Sequence, residues 1–342
     1  MYILGLESSC DETSAAVVRI EDGRFTVCSN MVASQIETHR LYGGVVPEIA
    51  SRAHIEAITG ITEQALLTAG IGVSELGAVA VTAAPGLIGA LLVGVNFAKS
   101  LAYANGLPLV AVDHVKAHVA AAYLEYPHLA PPFLALVVSG GHTSIYRVDD
   151  HTSFAVIGQT RDDAAGEAFD KIGRVIGMPY PGGAAMDALA KEGDSKAFAF
   201  PSPALGGDTL DFSFSGLKTS ALNAINAMRQ KGEEPNHADL AASYTATVVK
   251  AIERKLDMAL TATGAKTLVL AGGVAANSHI RKALTALCER RGVTFCTPSL
   301  SLCGDNAAMV AAARYFEFRH GNLANTSLNA SACDTIASQT QP

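Results

Sequence analysis

The sequence predicts an α/β protein whose plan is written twice along the chain. A strand, polar turn and strand at residues 2–20 (YILGL, SSCDET, AAVVRI) recurs at 133–148 as FLALVVSGGHTSIYRV. A strand, glycine turn, helix and strand then follow in each half: AVAVTAAPG with its helix and LVAV, and TLVLAGGVAAN with its helix and VTFCT. With 342 residues the chain is also longer than one ordinary core serves, which favours two domains. Two halves on one plan point to an ancient duplication, with a period too long for a solenoid.

Taken in order, residues 2–6 form a strand, SSCDET a polar turn, and 15–20 a second strand. YGGVVPEIASRAHIEAI is a Gly/Pro loop leading into a helix that continues to residue 69. From Gly77 the alternation of strand, loop, helix (87–104) and strand (109–112) marks an α/β lobe. Gly89 and Gly94 are read as packing glycines. The second half repeats the plan around an insertion at about 160–239, which holds GEAFDKIGRVIGMPYPGG, KEGDSKAF and DFSFSGLKTS. Near the end, LCGDNAAMVAAARYFE places Asp305 at a helix start behind a glycine, where an acid also serves as an ordinary cap. The expected lobes are 1–112, with a C-terminal helix 305–318 packing back on it, and 113–304. The Ser, Thr, Asn and Ala tail at 321–342 has little to bury and is expected to be disordered.

Composition excludes several classes. A formal charge of −7 makes the chain as a whole no nucleic-acid magnet, so RNA contact requires a local patch or a partner. Its six Cys show no CxxC spacing and fit buried or free thiols in a reducing compartment. The opening MYILGLESSCDET lacks the basic start of a signal peptide. The longest apolar run, 87–95, is too short to span a membrane. A cytoplasmic protein is expected.

The chemistry concentrates in VDHVKAH. On a helix His114 and His118, four residues apart, share one face about 5–6 Å apart and can hold one metal ion. Two ligands do not close a site that wants three or four, and a pair of unliganded histidines remains the plain alternative. HExxH proteases carry glutamate after the first histidine; Val115 stands there, leaving a metallopeptidase without its base. The turn SSCDET carries Asp11, Glu12 and three hydroxyls, more chemistry than a hairpin needs, although Asp and Ser also form turns for backbone reasons. Glycine turns at SGG and AGG can cradle phosphates through backbone N–H groups.

This duplicated arrangement resembles the actin, Hsp70 and sugar-kinase superfamily, with GLESSCDET and VVSGGHT as the phosphate turns and AGGVAAN where the adenosine motif belongs. A sharper resemblance covers the chain up to about residue 318. ESSCDET, YGGVVPE, PGL, HVKAH, VSGGHT, GEAFDK, SFSGLKT, AGGVAAN and CGDNAAM are similar, in order, to the tRNA adenosine threonylcarbamoyltransferases, called TsaD in bacteria and Kae1 in archaea and eukaryotes. The resemblance implies transfer of the threonylcarbamoyl group from threonylcarbamoyl-AMP to N6 of adenosine 37 in tRNAs reading codons that begin with A.

It also implies roles for residues. His114, His118 and Asp305 match the ligands of one divalent metal, iron(II) or zinc. Val137, Val138, Ser139, Gly140 and Gly141 match a phosphate-side substrate loop. Asp170, Gly183 and Asn277 match contacts to the ribose or base of the adenylate, and Asp11 and Glu12 match an acidic pair near the reacting carbonyl. Implied partners are tRNA, a TsaB-like paralogue lacking the metal site and a small TsaE-like P-loop ATPase, with a separate synthase supplying the adenylate. Two rival functions remain: a metallopeptidase, an old label for this family, and an ATP-binding, chaperone-like scaffold that needs no metal.

Overall fold

The computed structural model describes residues 1–333. The chain forms two compact units, one made of Met1–Leu129 and Pro298–Pro342, the other of Ala130–Thr297, with 334–342 outside the described residues. The first unit contains β1 (Tyr2–Glu7), β2 (Glu12–Glu21), β3 (Arg24–Ser34), α1 (Ile36–Arg40), α2 (Pro47–Ala69), β4 (Leu76–Ala84), α3 (Ile88–Asn105), β5 (Leu109–Asp113) and α4 (His114–Ala120). The second runs β6 (Phe133–Val138), β7 (Thr143–Val148), β8 (Phe154–Gln159), α5 (Ala165–Val175), α6 (Gly182–Leu189), α7 (Ser215–Gln230), α8 (His237–Thr263), β9 (Thr267–Ala271), α9 (Ser278–Arg291) and β10 (Thr294–Cys296). The chain then returns to the first unit for α10 (Ala307–Arg319).

The predicted duplication is visible in the strand orders. One sheet reads β3-β2-β1-β4-β5 and the other, from its opposite edge, β8-β7-β6-β9-β10. In each, an antiparallel meander is extended by two parallel strands. β1 is central and buried on both faces, as strands with parallel neighbours generally are. Alternation sorts its side chains: Leu4 and Leu6 enter a core with Ala65 of α2 and Val95, Ala98 and Ala102 of α3. Gly5 points the other way, where a Cβ would run into the carbonyl oxygen of Ala307. That glycine lets α10 lie directly on the sheet and fixes where the chain arrives at residue 305.

Several features differ from the sequence reading. Each expected hairpin is a three-stranded meander, because β3 and β8 add an outer strand. The units divide at 129/130 and 297/298 rather than at 112/113 and 304, since α4 continues directly from β5 and packs against α10. The tail is ordered as far as it is described. Ala324 N–H donates to the Leu109 carbonyl, Ser331 N–H to that of Ala83, and Lys99 Nζ to that of Leu328, whose side chain is buried in the first core. Leu328, with Ala324 and Ala330 packed against the same core, and a row of backbone bonds dock a segment of otherwise polar composition. Cys288, Cys296 and Cys303 are buried, and Cys333 is exposed. Among the described residues no helix is long and apolar enough to cross a membrane.

Candidate metal centre

β5 ends at Asp113, whose side chain caps α4 by accepting from the N–H groups of Val115 and Lys116. His114 is thereby the first residue of the helix and His118 follows one turn later, with ring centroids 4.6 Å apart. Asp305 sits one residue before Asn306, which caps α10 by accepting from Met309 N–H. The helix start is therefore served by Asn306, and the Asp305 carboxylate is not its cap. Its Oδ1 lies 3.2 Å from Nε2 of His118 and 3.6 Å from Nε2 of His114. One ligand atom from each of the three residues falls within 4.8 Å of the others, so this group could hold a metal ion.

The donor set fits that use. His118 is 1% exposed and neither of its ring nitrogens has a hydrogen-bond partner, despite the nearby carboxylate. A buried imidazole without partners costs stability unless another ligand satisfies it. Two imidazoles and one carboxylate are the donors divalent transition metals take.

The surrounding charge is equally uneven. β2 begins at Glu12, so the turn is shorter than expected, and Glu12 stands at a strand start where Ser34 Oγ donates to it at 3.1 Å. Burial pushes the Glu12 carboxyl up to about 9, and the nearby carboxylates of Asp305 and Asp11 push it the same way; Asp11 is also its hydrogen-bond partner. Burial, followed by Asp11 and Asp305, likewise drives the Cys10 thiol far up, so it is no nucleophile at neutral pH. Three acids gathered in one partly dry region are a place for a cation. Burial opposes the charged form of His114, but Asp305 and Glu7 outweigh it and raise the imidazole, whose Nε2 proton a bound ion would displace. Glu7 went unnoticed in the sequence. It is buried, and although burial alone would raise its pKa, His114 and the Thr82 hydroxyl hold it below the ordinary range.

The remaining predicted residues lie in the second unit. Val137 and Val138 are fully buried core side chains of β6, so only their backbone is open to a ligand role. Ser139 closes the turn: its N–H donates to the His142 carbonyl, and its Oγ accepts from His142 N–H. Nothing lies within 4 Å of a Cβ built on Gly140 or Gly141, which leaves the turn open over its backbone. Gly272, at φ +95°, crosses so close to the Val138 carbonyl that a side chain would collide with it. The SGG and AGG turns are thus brought together. Asp170 on α5 accepts from Gly183 N–H at 3.1 Å, and Asn277 caps α9 by accepting from His279 and Ile280 N–H. Asp187, also missed, joins these elements: from α6 it accepts from Ser278 N–H and Oγ and contacts His279 Nδ1 at 3.0 Å. As an acid inside a helix it carries no sequence signal beyond solvent-facing polarity.

A family model described as TsaD, tRNA N6-adenosine threonylcarbamoyltransferase, matches residues 26–312. A protein of that name from Moorella thermoacetica is 52% identical over 96% of this chain and 95% of its own length. One from Clostridium perfringens is 51% identical over 96% of both. Among solved structures, HypF from T. kodakarensis aligns with TM-score 0.64 at 14% identity over 96% of this chain and 49% of its own. Component A of Acidaminococcus fermentans (R)-2-hydroxyglutaryl-CoA dehydratase aligns with TM-score 0.54 at 16% identity over 94% and 99%. These two likenesses concern the fold alone.

Proposed function

The chain belongs to the tRNA N6-adenosine threonylcarbamoyltransferase family, and on that premise we propose that it transfers the threonylcarbamoyl group of threonylcarbamoyl-AMP to N6 of adenosine 37 in tRNA. The observation that supports a local mechanism is the convergence of His114, His118 and Asp305 in this sequence background. The donor already carries a good leaving group, so the protein has three tasks: to hold AMP, to accept a proton, and to balance charge. The open backbone of Ser139, Gly140 and Gly141 is assigned the phosphate, and Asp170, Gly183 and Asn277 the nucleoside.

In the transfer, the N6 nitrogen forms a bond to the carbamoyl carbon and the bond from that carbon to the phosphate oxygen breaks. AMP leaves with the electron pair, and the N6 proton passes to a carboxylate. Asp11 is assigned that proton. It is 8% exposed and lies beside Glu12, which burial and the neighbouring carboxylates of Asp305 and Asp11 push toward the protonated form. An ion on the two histidines and Asp305 supplies Lewis acidity and a template for the donor. Iron(II) is proposed on the resemblance and on the pairing of two histidines with one carboxylate; zinc is the alternative. Metal analysis of protein purified without added metal decides between them.

The proposed setting includes tRNA, a metal-less paralogue and a small P-loop ATPase. A chain of formal charge −7 is expected to bind tRNA weakly by itself. The deciding experiment is reconstitution with threonylcarbamoyl-AMP and unmodified tRNA, followed by mass spectrometry of the nucleosides. Threonylcarbamoyladenosine at position 37 is the expected product; unmodified adenosine in the complete mixture overturns the reading.

A further inference from the structure

The two histidines of the candidate centre are held very differently. Glu7, 1% exposed at the end of β1, accepts from Ser9 N–H at 2.6 Å on one carboxylate oxygen and from the Thr82 hydroxyl at 2.6 Å on the other. The second oxygen also lies 3.1 Å from Nδ1 of His114, and Ser9 Oγ stands 3.1 Å from the same nitrogen. His118 has no hydrogen bond at either ring nitrogen.

We propose that Glu7 is the positioning residue of the metal centre, fixing the tautomer and ring orientation of His114 while His118 is left to be oriented by the ion itself. This rests on the metal reading given above. A carboxylate offers only acceptor sites, so the imidazole must keep its proton on Nδ1. Nε2 then presents its lone pair on the side of Asp305. Donation of a ligand histidine's far N–H to a carboxylate also makes that ligand more basic. Ser9 adds a second consequence. It bonds Glu7 through its N–H and His114 through its hydroxyl, and it begins the turn that carries Asp11. The turn that carries Asp11 is therefore anchored at its start, through Ser9, to the carboxylate and imidazole of the metal centre.

The test uses the full-length chain and cobalt(II), whose visible absorption reports ligand number and geometry. Glu7→Gln keeps the shape but sets an NH2 group against the two donors, Thr82 Oγ and His114 Nδ1. The imidazole is relieved by moving its proton to Nε2, the nitrogen the metal needs. Cobalt affinity is expected to fall by about 10–100-fold with a changed visible spectrum. Glu7→Asp, which retains the charge, is expected to lie between Glu7→Gln and wild type. Glu7→Gln with wild-type affinity and spectrum overturns the proposal, provided His114→Ala loses cobalt. If His114→Ala retains cobalt, the metal reading itself fails and the proposal with it. Should Glu7→Gln not fold, nitrogen-15 NMR of the zinc-loaded wild-type chain decides: a protonated Nδ1 on a ligating His114 is expected, and ligation through Nδ1 overturns it.

Discussion

The turn after β1 and the turn after β6 occupy the same place in two sheets of the same strand order, yet they are built from opposite materials. The first is dense with side chains. Ser9 is tied to Glu7, and Glu12 to Ser34 and Asp11, and these acids sit near a histidine pair. The second is almost bare. Its buried valines lead to a serine that bonds within the turn and to two glycines with open space above them. A duplicated frame fixes where a turn emerges, at the carboxyl end of a central strand, and leaves its chemistry free. One copy presents charge and ligands; the other presents backbone N–H groups, which suit an anion.

The contrast can be broken from either side. The largest effect is expected in the first unit, where His114→Ala or His118→Ala should lose bound metal and transfer activity together, measured by elemental analysis and nucleoside mass spectrometry. Full metal occupancy in both variants would remove the first turn's supposed neighbour. Next comes Asp11→Asn, which keeps shape and loses charge. General-base removal typically lowers rate by about 10²–10⁴-fold. Single-turnover transfer at saturating adenylate and tRNA should show such a drop, with the melting temperature near wild type; an unchanged rate would make the turn a structural feature only.

In the second unit the effects are smaller and fall on stability. Gly272→Ala forces a side chain onto a positive φ and into the Val138 carbonyl, and should cost about 1–3 kcal/mol in denaturant unfolding. Gly140→Ala meets nothing and should stay within about 0.5 kcal/mol. Equal losses at the two positions would mean that the SGG turn is as tightly packed as the AGG turn. The last prediction concerns pH. Burial works against ionised Asp187, but His279 and Ser278 outweigh it and hold its carboxyl below the ordinary value. A depressed carboxyl contributes stability above its unfolded pKa, 3.8, and loses it as pH falls through the lower folded value. Asp187→Asn should therefore cost about 1–3 kcal/mol at pH 7, with the gap to wild type closing below pH 3.8. A gap independent of pH would assign the loss to shape.

The sequence showed the repeated plan and the histidine pair because both are local: alternation, glycine turns and an i, i+4 spacing can be read from neighbours. Asp305 was reached through its family motif, as nothing near it points to residue 114. Glu7 escaped notice because a glutamate closing a short strand looks like a solvent-facing end. Its role depends on β1 pairing with β4, and β4 with β5, which brings Thr82 and His114 beside it. The outer strand β3 was missed for a related reason. RFTVCSNMVAS, at a sheet edge, has one buried residue among exposed and half-buried ones and lacks the regular apolar alternation that a strand with one buried face displays. The segment around Leu328 shows the limit of composition: one buried leucine, two packed alanines and backbone bonds outweigh its polarity.

The first unit is discontinuous and the second is not, and this sets an order of events at the ribosome. Domains fold largely as they emerge, from the N-terminus onward. Ala130–Thr297 is made as one uninterrupted stretch, whereas β1 waits for α10 until the entire second unit has been synthesised. Until then the face of the sheet at Gly5 lacks the helix that belongs on it, and two histidines stand without Asp305. A chain released after residue 297 would hold every element of the second unit and a first sheet without α10, a state suited to capture by chaperones. Completion of the ligand set is thus a late signal that nearly the whole chain has been made.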